Sequence, residues 1–185
     1  MFPDAFKGKR VHVTEKIHGT NFRAVWHEDR LHVGSHRTWL KKGANTWWNV
    51  AQNWKLEERL ESESEFAFYG EIYGPKIQDL TYEQKTPQVI FYDVMRKASQ
   101  TFLPPDEAQE MIERLDLRYV PVLYEDWWDD KVKMLAEGDT RLGNEAHVRE
   151  GIVIRPLREE FSPELGGRLI LKLCGEGYYT RKEKV

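Results

Sequence analysis

The sequence predicts an α+β fold, with mainly antiparallel sheets and flanking helices. Three observations carry this expectation. Residues 10–26 alternate, with Val11, Val13, Phe22, Ala24 and Trp26 as apolar members, which is the period of a half-buried strand. Residues 66–73 and 88–95 are short runs rich in Phe, Tyr, Val and Ile, the residue types that suit a pleated surface. Only a few stretches carry helical spacing, and none alternates regularly with strands as a parallel sheet would require.

Taken in order, the 10–26 run reads as two strands broken by His18-Gly19-Thr20. Leu31-His32-Val33 continues the pattern after a turn at Glu28-Asp29. Residues 46–61 place Trp47, Val50, Ala51, Trp54 and Leu60 at mostly helical spacing. After the strands at 66–73 and 88–95, Pro104-Pro105 opens a helix to about Leu115, because proline suits the first helical turn. Val120 to Tyr124 reads as a short strand, and Pro121 assigns it to an edge or a strand start. Asp129 to Glu137 is a short helix stopped by Gly138. Gly151 to Arg155 and Arg168 to Leu173 close the chain as two strands. No linker, repeat or low-complexity segment divides residues 1–185, so one domain is expected.

The chain has 185 residues, enough for a core without disulfides. Its single cysteine, Cys174, excludes an intrachain disulfide and a Cys-rich zinc site. No apolar run approaches the roughly 20 residues of a bilayer span, and no basic-then-apolar leader opens the sequence. A cytoplasmic protein without membrane contact is the expectation. The formal net charge of −3 argues against a nucleic-acid partner at first sight. The distribution argues the other way: residues 1–50 hold nine Lys or Arg against four Asp or Glu. A basic N-terminal third can meet phosphates while the remainder stays acidic.

Four segments carry candidate chemistry. In Glu15-Lys16-Ile17-His18-Gly19-Thr20-Asn21-Phe22, Lys16 stands near a strand end. A desolvated lysine there becomes a nucleophile, and a solvated hairpin lysine is the plainer alternative. Gly19 permits close backbone approach to a ligand, and His18, Thr20 and Asn21 can hold phosphate oxygens. In Phe68-Tyr69-Gly70-Glu71-Ile72-Tyr73-Gly74, Glu71 can accept a ribose hydroxyl or carry a metal ion. The alternative is a bulged strand with an exposed glutamate. In Glu150-Gly151-Ile152-Val153-Ile154-Arg155-Pro156, Glu150 opens an apolar strand and suits magnesium, which uses one or two carboxylates plus substrate phosphates. In Arg168-Leu169-Ile170-Leu171-Lys172-Leu173, Lys172 shares a face with Ile170 and opposes the leucines by strand period, so it is either solvated or aimed at an anion. Ser35-His36-Arg37-Thr38-Trp39 with Lys41 and Lys42 interleaves cations and aromatics, as RNA phosphates and base stacking require.

In this order the segments resemble the covalent nucleotidyltransferase superfamily of polynucleotide ligases and mRNA capping enzymes. Within it they are most similar to the RNA ligase 2-like branch. Lys16-Ile17-His18-Gly19-Thr20-Asn21 matches motif I, with His where the general pattern has Asp. Ser35-His36-Arg37 resembles motif Ia, Tyr69-Gly70-Glu71 motif III, and Phe91-Tyr92-Asp93 motif IIIa. Glu150-Gly151-Ile152-Val153 resembles motif IV, and Ile170-Leu171-Lys172 motif V. The similarity spans residue 11 to about residue 182.

The resemblance implies a ligase-type nucleotidyltransferase fold, ATP-grasp-like, and an ATP-dependent RNA ligase using Mg2+ or Mn2+. Its implied substrate is RNA with 5′-phosphate and 3′-hydroxyl ends, and a monomer is expected. It implies Lys16 as the nucleophile, forming lysyl–AMP, with His18 near the leaving pyrophosphate and Lys172 on the α-phosphate. Glu15, Ile17, Asn21, Arg37, Glu71 and Phe91 would join Lys172 at the nucleotide, with Glu71 on the ribose and Phe91 stacked on adenine. Glu150 would hold the metal, and Arg37, Lys41 and Lys42 would meet RNA. Two departures stand out. Motif V usually carries two lysines, and the first position here is Ile170; Arg181 and Lys182 are the nearby substitutes. No C-terminal OB-fold or helical domain fits after Lys172, which implies a minimal ligase or a fragment. A DNA ligase or capping guanylyltransferase, and a ligase-derived RNA-binding module without catalysis, are the competing readings.

Overall fold

The computed structural model describes residues 2–143 and 147–181. Their strands are β1 (Arg10–Lys16), β2 (Thr20–His27), β3 (Arg30–Gly34), β4 (Trp39–Leu40), β5 (Phe66–Tyr73), β6 (Gln88–Arg96), β7 (Thr101–Phe102), β8 (Val122–Trp127), β9 (Gly151–Pro156), β10 (Phe161–Ser162), β11 (Gly167–Arg168) and β12 (Leu171–Cys174). The α-helices are α1 (Thr46–Asn53), α2 (Leu56–Leu60), α3 (Pro105–Arg114) and α4 (Glu176–Thr180). Every strand ladder is antiparallel, as the α+β expectation requires. The chain divides into two compact units, Met1–Ile17 with Val120–Val185, and His18–Tyr119.

The first unit is built on a four-stranded sheet in the order β12-β9-β1-β8. On β1, Val11 and Val13 face a core shared with Phe6, Val132, Ala136, Ile152, Ile154 and Leu169. The intervening His12 is on the opposite face and is also fully buried; its Nδ1 lies 2.7 Å from Glu125 Oε2. β8 is an edge strand that begins just after Pro121, consistent with a residue that cannot donate to a ladder. It runs on to Trp127, three residues past the expected end. The helix expected at 129–137 is a 3-10 helix over Asp130–Ala136, with the Asp129 side chain accepting from the Lys131 amide at 2.8 Å. The strand expected over 168–173 is two pieces. Leu169 turns into the core, and its amide bonds Glu160 O at 2.8 Å. That corner separates β11 from β12.

The second unit is a six-stranded sheet in the order β4-β3-β2-β5-β6-β7. Glu28 and Asp29 both adopt positive φ, 50° and 54°, which matches the twist of a two-residue hairpin between β2 and β3. Phe22, Ala24, Val33, Phe68, Phe91 and Val94 are buried on one face, and helices α1, α2 and α3 pack on strands of this sheet. The helical stretch expected at 46–61 is two helices. Asn45 caps α1 through the Trp48 amide at 3.1 Å, and Lys55, left-handed at φ 50°, breaks the run before α2. Trp48 is core, its indole N–H donating to Leu40 O at 3.0 Å. Pro105 occupies the first turn of α3, which buries Ala108 and Ile112 as an amphipathic helix must.

Candidate active site

The sequence candidates fall into two sets, one on each sheet. On the four-stranded sheet, register pairs Lys16 with Gly151 and Gly151 with Cys174, while Lys172 pairs with Val153. Cross-strand partners share a face, so Lys16 and Lys172 are on one face and the Val11–Val13 core is on the other. The Lys16 ammonium lies 2.5 Å from Glu150 Oε1, with both side chains mostly buried. Lys172 is exposed, opposite in direction to Leu171 and Leu173. Ile170 precedes β12 and shares no ladder face with Lys172.

Gly151 is what lets Glu150 sit beside Lys16. Its φ is +155°, and a Cβ there would stand 2.0 Å from Leu173 O. Only glycine allows β12 to approach this closely, and the Gly175 amide then bonds Glu150 O at 3.0 Å.

Glu15 points away from Lys16. It is on the core face of β1, where its carboxylate accepts from Thr140 Oγ1 at 2.5 Å and from the Arg141 amide at 2.7 Å. Burial pushes its pKa up, and these hydrogen bonds oppose the shift. A side-chain contact from Glu15 to a nucleotide on the Lys16 face is therefore not available. Ile17 is buried. Of the cations near motif V, Arg181 lies over the Tyr178 ring at 3.8 Å, and Lys182 falls outside the described residues.

On the six-stranded sheet, the loop after β5 grips the His18-Gly19 turn. The His18 amide donates to Tyr82 Oη at 2.7 Å, His18 Nε2 lies 2.8 Å from Asp79 Oδ1, and Gln78 Nε2 donates to Gly19 O at 3.4 Å. A Cβ on Gly19 would meet Ile72 O at 2.2 Å. The protein's own β5 makes a close approach at Gly19.

Asn21 and Glu71 are register partners on the face opposite Phe22 and Phe68. The ladder between β5 and β6 shifts at Tyr69/Gly70, a bulge that re-aims the residues facing it. Tyr92 consequently turns to the Asn21 side, where Asn21 Nδ2 donates to its hydroxyl at 2.8 Å. Burial, then the nearby Glu71 and Asp93 carboxylates, raise the Tyr92 pKa, so the phenol stays protonated. Phe91, expected to stack on adenine, is instead wholly buried on the core face, edge-on to Phe22 at 5.9 Å. The bulge places Tyr92, and not Phe91, on the polar face.

Arg37 and Lys41 are exposed, Arg37 in the β3–β4 connection and Lys41 just after β4. Lys42 is committed to Glu57 at 2.6 Å and lies 5.3 Å over the Trp48 ring. Sequence reading named Tyr92 only within Phe91-Tyr92-Asp93, and it missed Asp79, Tyr82 and Thr140. Tyr92 had a signal, the glycine in the facing strand. Asp79 and Tyr82 contact His18 of motif I and Thr140 contacts Glu15 just before it, across 61 to 125 residues of sequence, and nothing local marks them.

Two antiparallel sheets carrying a Lys16–Glu150 pair and a His-Gly turn have the architecture of a ligase-type nucleotidyltransferase. The coordinates superpose on a lysine-to-alanine variant of Naegleria gruberi RNA ligase with ATP and Mn at a TM-score of 0.84 and 22% identity, covering 99% of this chain and 55% of that one. They match the same ligase with pyrophosphate at 0.83 and 24%, covering 98% and 54%. A lysine-to-methionine variant with AMP and Mn gives 0.83 and 22%, covering 99% and 55%. These likenesses establish the fold, and the chain spans about half the length of those ligases. No curated protein matches the chain. The RNA ligase family profile matches residues 9–174, and the chain belongs to that family.

Proposed function

We propose that the chain is the nucleotidyltransferase portion of an ATP-dependent RNA ligase, joining 5′-phosphate and 3′-hydroxyl RNA ends. The observation that carries the reading is the Lys16–Glu150 contact at 2.5 Å. Glu150 holds the Lys16 ammonium in place; the amine attacks phosphorus only after losing its proton to solvent, which leaves Glu150 ionised. The Lys16 amine then forms an N–P bond to the α-phosphorus of ATP as the P–O bond to pyrophosphate breaks. Lys172, a cation on the same sheet face, suits the charge that develops on the α-phosphate. The AMP next passes to the RNA 5′-phosphate, freeing Lys16, and the 3′-hydroxyl displaces AMP to make the phosphodiester.

His18, held by Asp79, serves the leaving pyrophosphate. Asn21, Glu71 and Tyr92 serve the nucleoside, with Glu71 accepting a ribose hydroxyl and the Tyr92 ring next to it offered to the base. Arg37 and Lys41 serve RNA phosphates. Among the described residues no cluster of three or more His, Cys, Asp or Glu side chains is disposed to hold a metal. The donor set therefore fits Mg2+ or Mn2+ only in the mode that uses one carboxylate, Glu150, with nucleotide phosphates. When bound, the ion supplies charge neutralisation.

The resemblance and the matched ligase structures, which pair that enzyme with ATP, AMP, pyrophosphate and Mn, support the nucleotide choice. The test is incubation with α-labelled ATP, Mg2+ and a 5′-phosphorylated RNA, read on a denaturing gel. Label on protein, then on RNA, then a sealed product is expected. Label that reaches protein from GTP and not ATP would overturn the proposal.

A further inference from the structure

On the six-stranded sheet the face that bears Asn21 and Glu71 continues outward. Two residues along β2 lies Arg23, paired with Gly34 of β3, which is paired in turn with Trp39 of β4. The Arg23 guanidinium sits 4.0 Å from the centre of the Trp39 ring. Gly34 is the floor of this stack: a Cβ there would stand 2.9 Å from the Trp39 ring and 3.2 Å from Arg23 Nε. The lack of a side chain leaves room for both groups over Gly34.

His32, next along the same face, is edge-on to Trp39 at 6.2 Å, and His27 is 6.0 Å from His32. Yet Trp39 is 47% exposed. Arg23 Nε is buried and has no hydrogen-bond partner among the described residues, so the guanidinium is held by stacking more than by polar pairing at that edge.

A flat cation on an exposed indole is a costly arrangement for a plain surface, since burying a donor without a partner is unfavourable. It is a natural platform for a nucleobase, whose π-face stacks equally on an aromatic ring or a guanidinium plane. The exposed Arg37 lies in the four-residue connection just before Trp39, closed by Ser35 N–H to Thr38 O at 2.9 Å, and Lys41 follows it. Flanking cations of this kind suit the phosphates on either side of one stacked base.

We propose that the Arg23–Trp39 stack is a subsite for one unpaired nucleotide of RNA, and that it favours single-stranded ends over continuous duplex. A base must leave its helix to stack on protein, so a fully paired strand cannot use the platform. This inference rests on the reading of the chain as one that acts on RNA.

The test measures fluorescence anisotropy of an end-labelled single-stranded RNA of about 12 nucleotides and of the same sequence in a blunt duplex, without ATP. The protein is the full chain, as wild type, Trp39→Ala and Trp39→Phe, at about 0.1 M salt. Trp39→Ala is expected to weaken single-strand binding about tenfold and duplex binding by less than about twofold. Trp39→Phe, which keeps a ring, is expected to restore single-strand affinity to within about threefold of wild type.

Equal losses for both RNAs, unchanged single-strand affinity in Trp39→Ala, or no recovery in a folded Trp39→Phe would overturn the inference. A wild-type protein that sediments as a dimer and loses that state in Trp39→Phe would overturn it too, because a second copy would then cover the stack. Wild type that forms lysyl–AMP and binds neither RNA would sink this inference and leave the adenylyltransfer reading intact. Wild type that binds RNA through Trp39 and forms no lysyl–AMP would do the reverse.

Discussion

Lys16 and Asn21 are held by different means. The four-stranded sheet uses an ion pair, Lys16 with Glu150, in which each charge is mostly buried and depends on the other. On the six-stranded sheet the Asn21–Tyr92 contact is a neutral hydrogen bond, while His18 leans on the Asp79 carboxylate and Arg23 on the Trp39 ring. Removing one member of a buried ion pair strands a charge, whereas removing one neutral hydrogen bond costs far less. The group proposed to react belongs to the brittle arrangement, and Asn21 and Tyr92, proposed to meet the nucleoside, belong to the tolerant one. Both sheets fix these groups with glycines pressed on a neighbouring strand, Gly151 on Leu173 and Gly19 on Ile72.

Substitutions on either side sharpen the contrast. The largest effect is expected from Glu150→Ala, which leaves Lys16 without its carboxylate. Lysyl–AMP formation should slow by about a hundredfold or more, followed as label transfer from α-labelled ATP in single turnover. Next come the glycines. Gly151→Ala should lower unfolding free energy by about 3 kcal/mol or more, because it adds backbone strain to a steric clash. Gly19→Ala, which suffers only the clash, should cost about 2 kcal/mol. Urea titration reads both, and a Gly19→Ala protein as stable as wild type would refute the close-approach account.

A smaller effect is expected from Tyr92→Phe. It removes the hydroxyl that accepts from Asn21 and keeps the ring, so ATP affinity measured by calorimetry should fall by about fivefold, the worth of one hydrogen bond of about 1 kcal/mol. Should Tyr92→Ala bind ATP as tightly as wild type, the polar face of the six-stranded sheet would not be the nucleoside site.

The smallest effect concerns Glu15. Burial raises its pKa in the folded protein, so between the ordinary carboxylate value near about 4.3 and the raised value the folded state binds more protons than the unfolded chain. Its contribution to stability is therefore greatest below that window and is lost as pH rises through it. Relative to Glu15→Gln, wild type should lose unfolding free energy as pH climbs from about 4 to 7. A difference independent of pH would show that Glu15 titrates as an ordinary carboxyl.

The same division explains what the sequence disclosed. Strand alternation at Val11, Val13, Phe22 and Ala24 revealed the core faces because burial follows a period of two. Pro105 and the Glu28-Asp29 turn marked boundaries for local reasons. The class of fold and the motif order were legible because they depend on short-range patterns. The 46–61 helix was read as continuous because its apolar spacing runs through Lys55, and spacing does not register a single left-handed residue. The resemblance to motif IIIa implied Phe91 at the base, and only the bulge against Gly70 decides which of Phe91 and Tyr92 faces the polar side. The partners of His18 and Glu15 are long-range contacts, Asp79, Tyr82, Thr140 and Arg141, and no local pattern announces them.

The central claim is that Lys16 becomes covalently joined to AMP. Intact mass of the purified protein, before and after ATP with Mg2+, tests it directly. The account predicts a gain of one AMP, reversed by pyrophosphate, mapped to Lys16 by peptide mass, and absent in Lys16→Ala. An adduct that persists in Lys16→Ala, or no adduct from protein shown to start unadenylated, would contradict it.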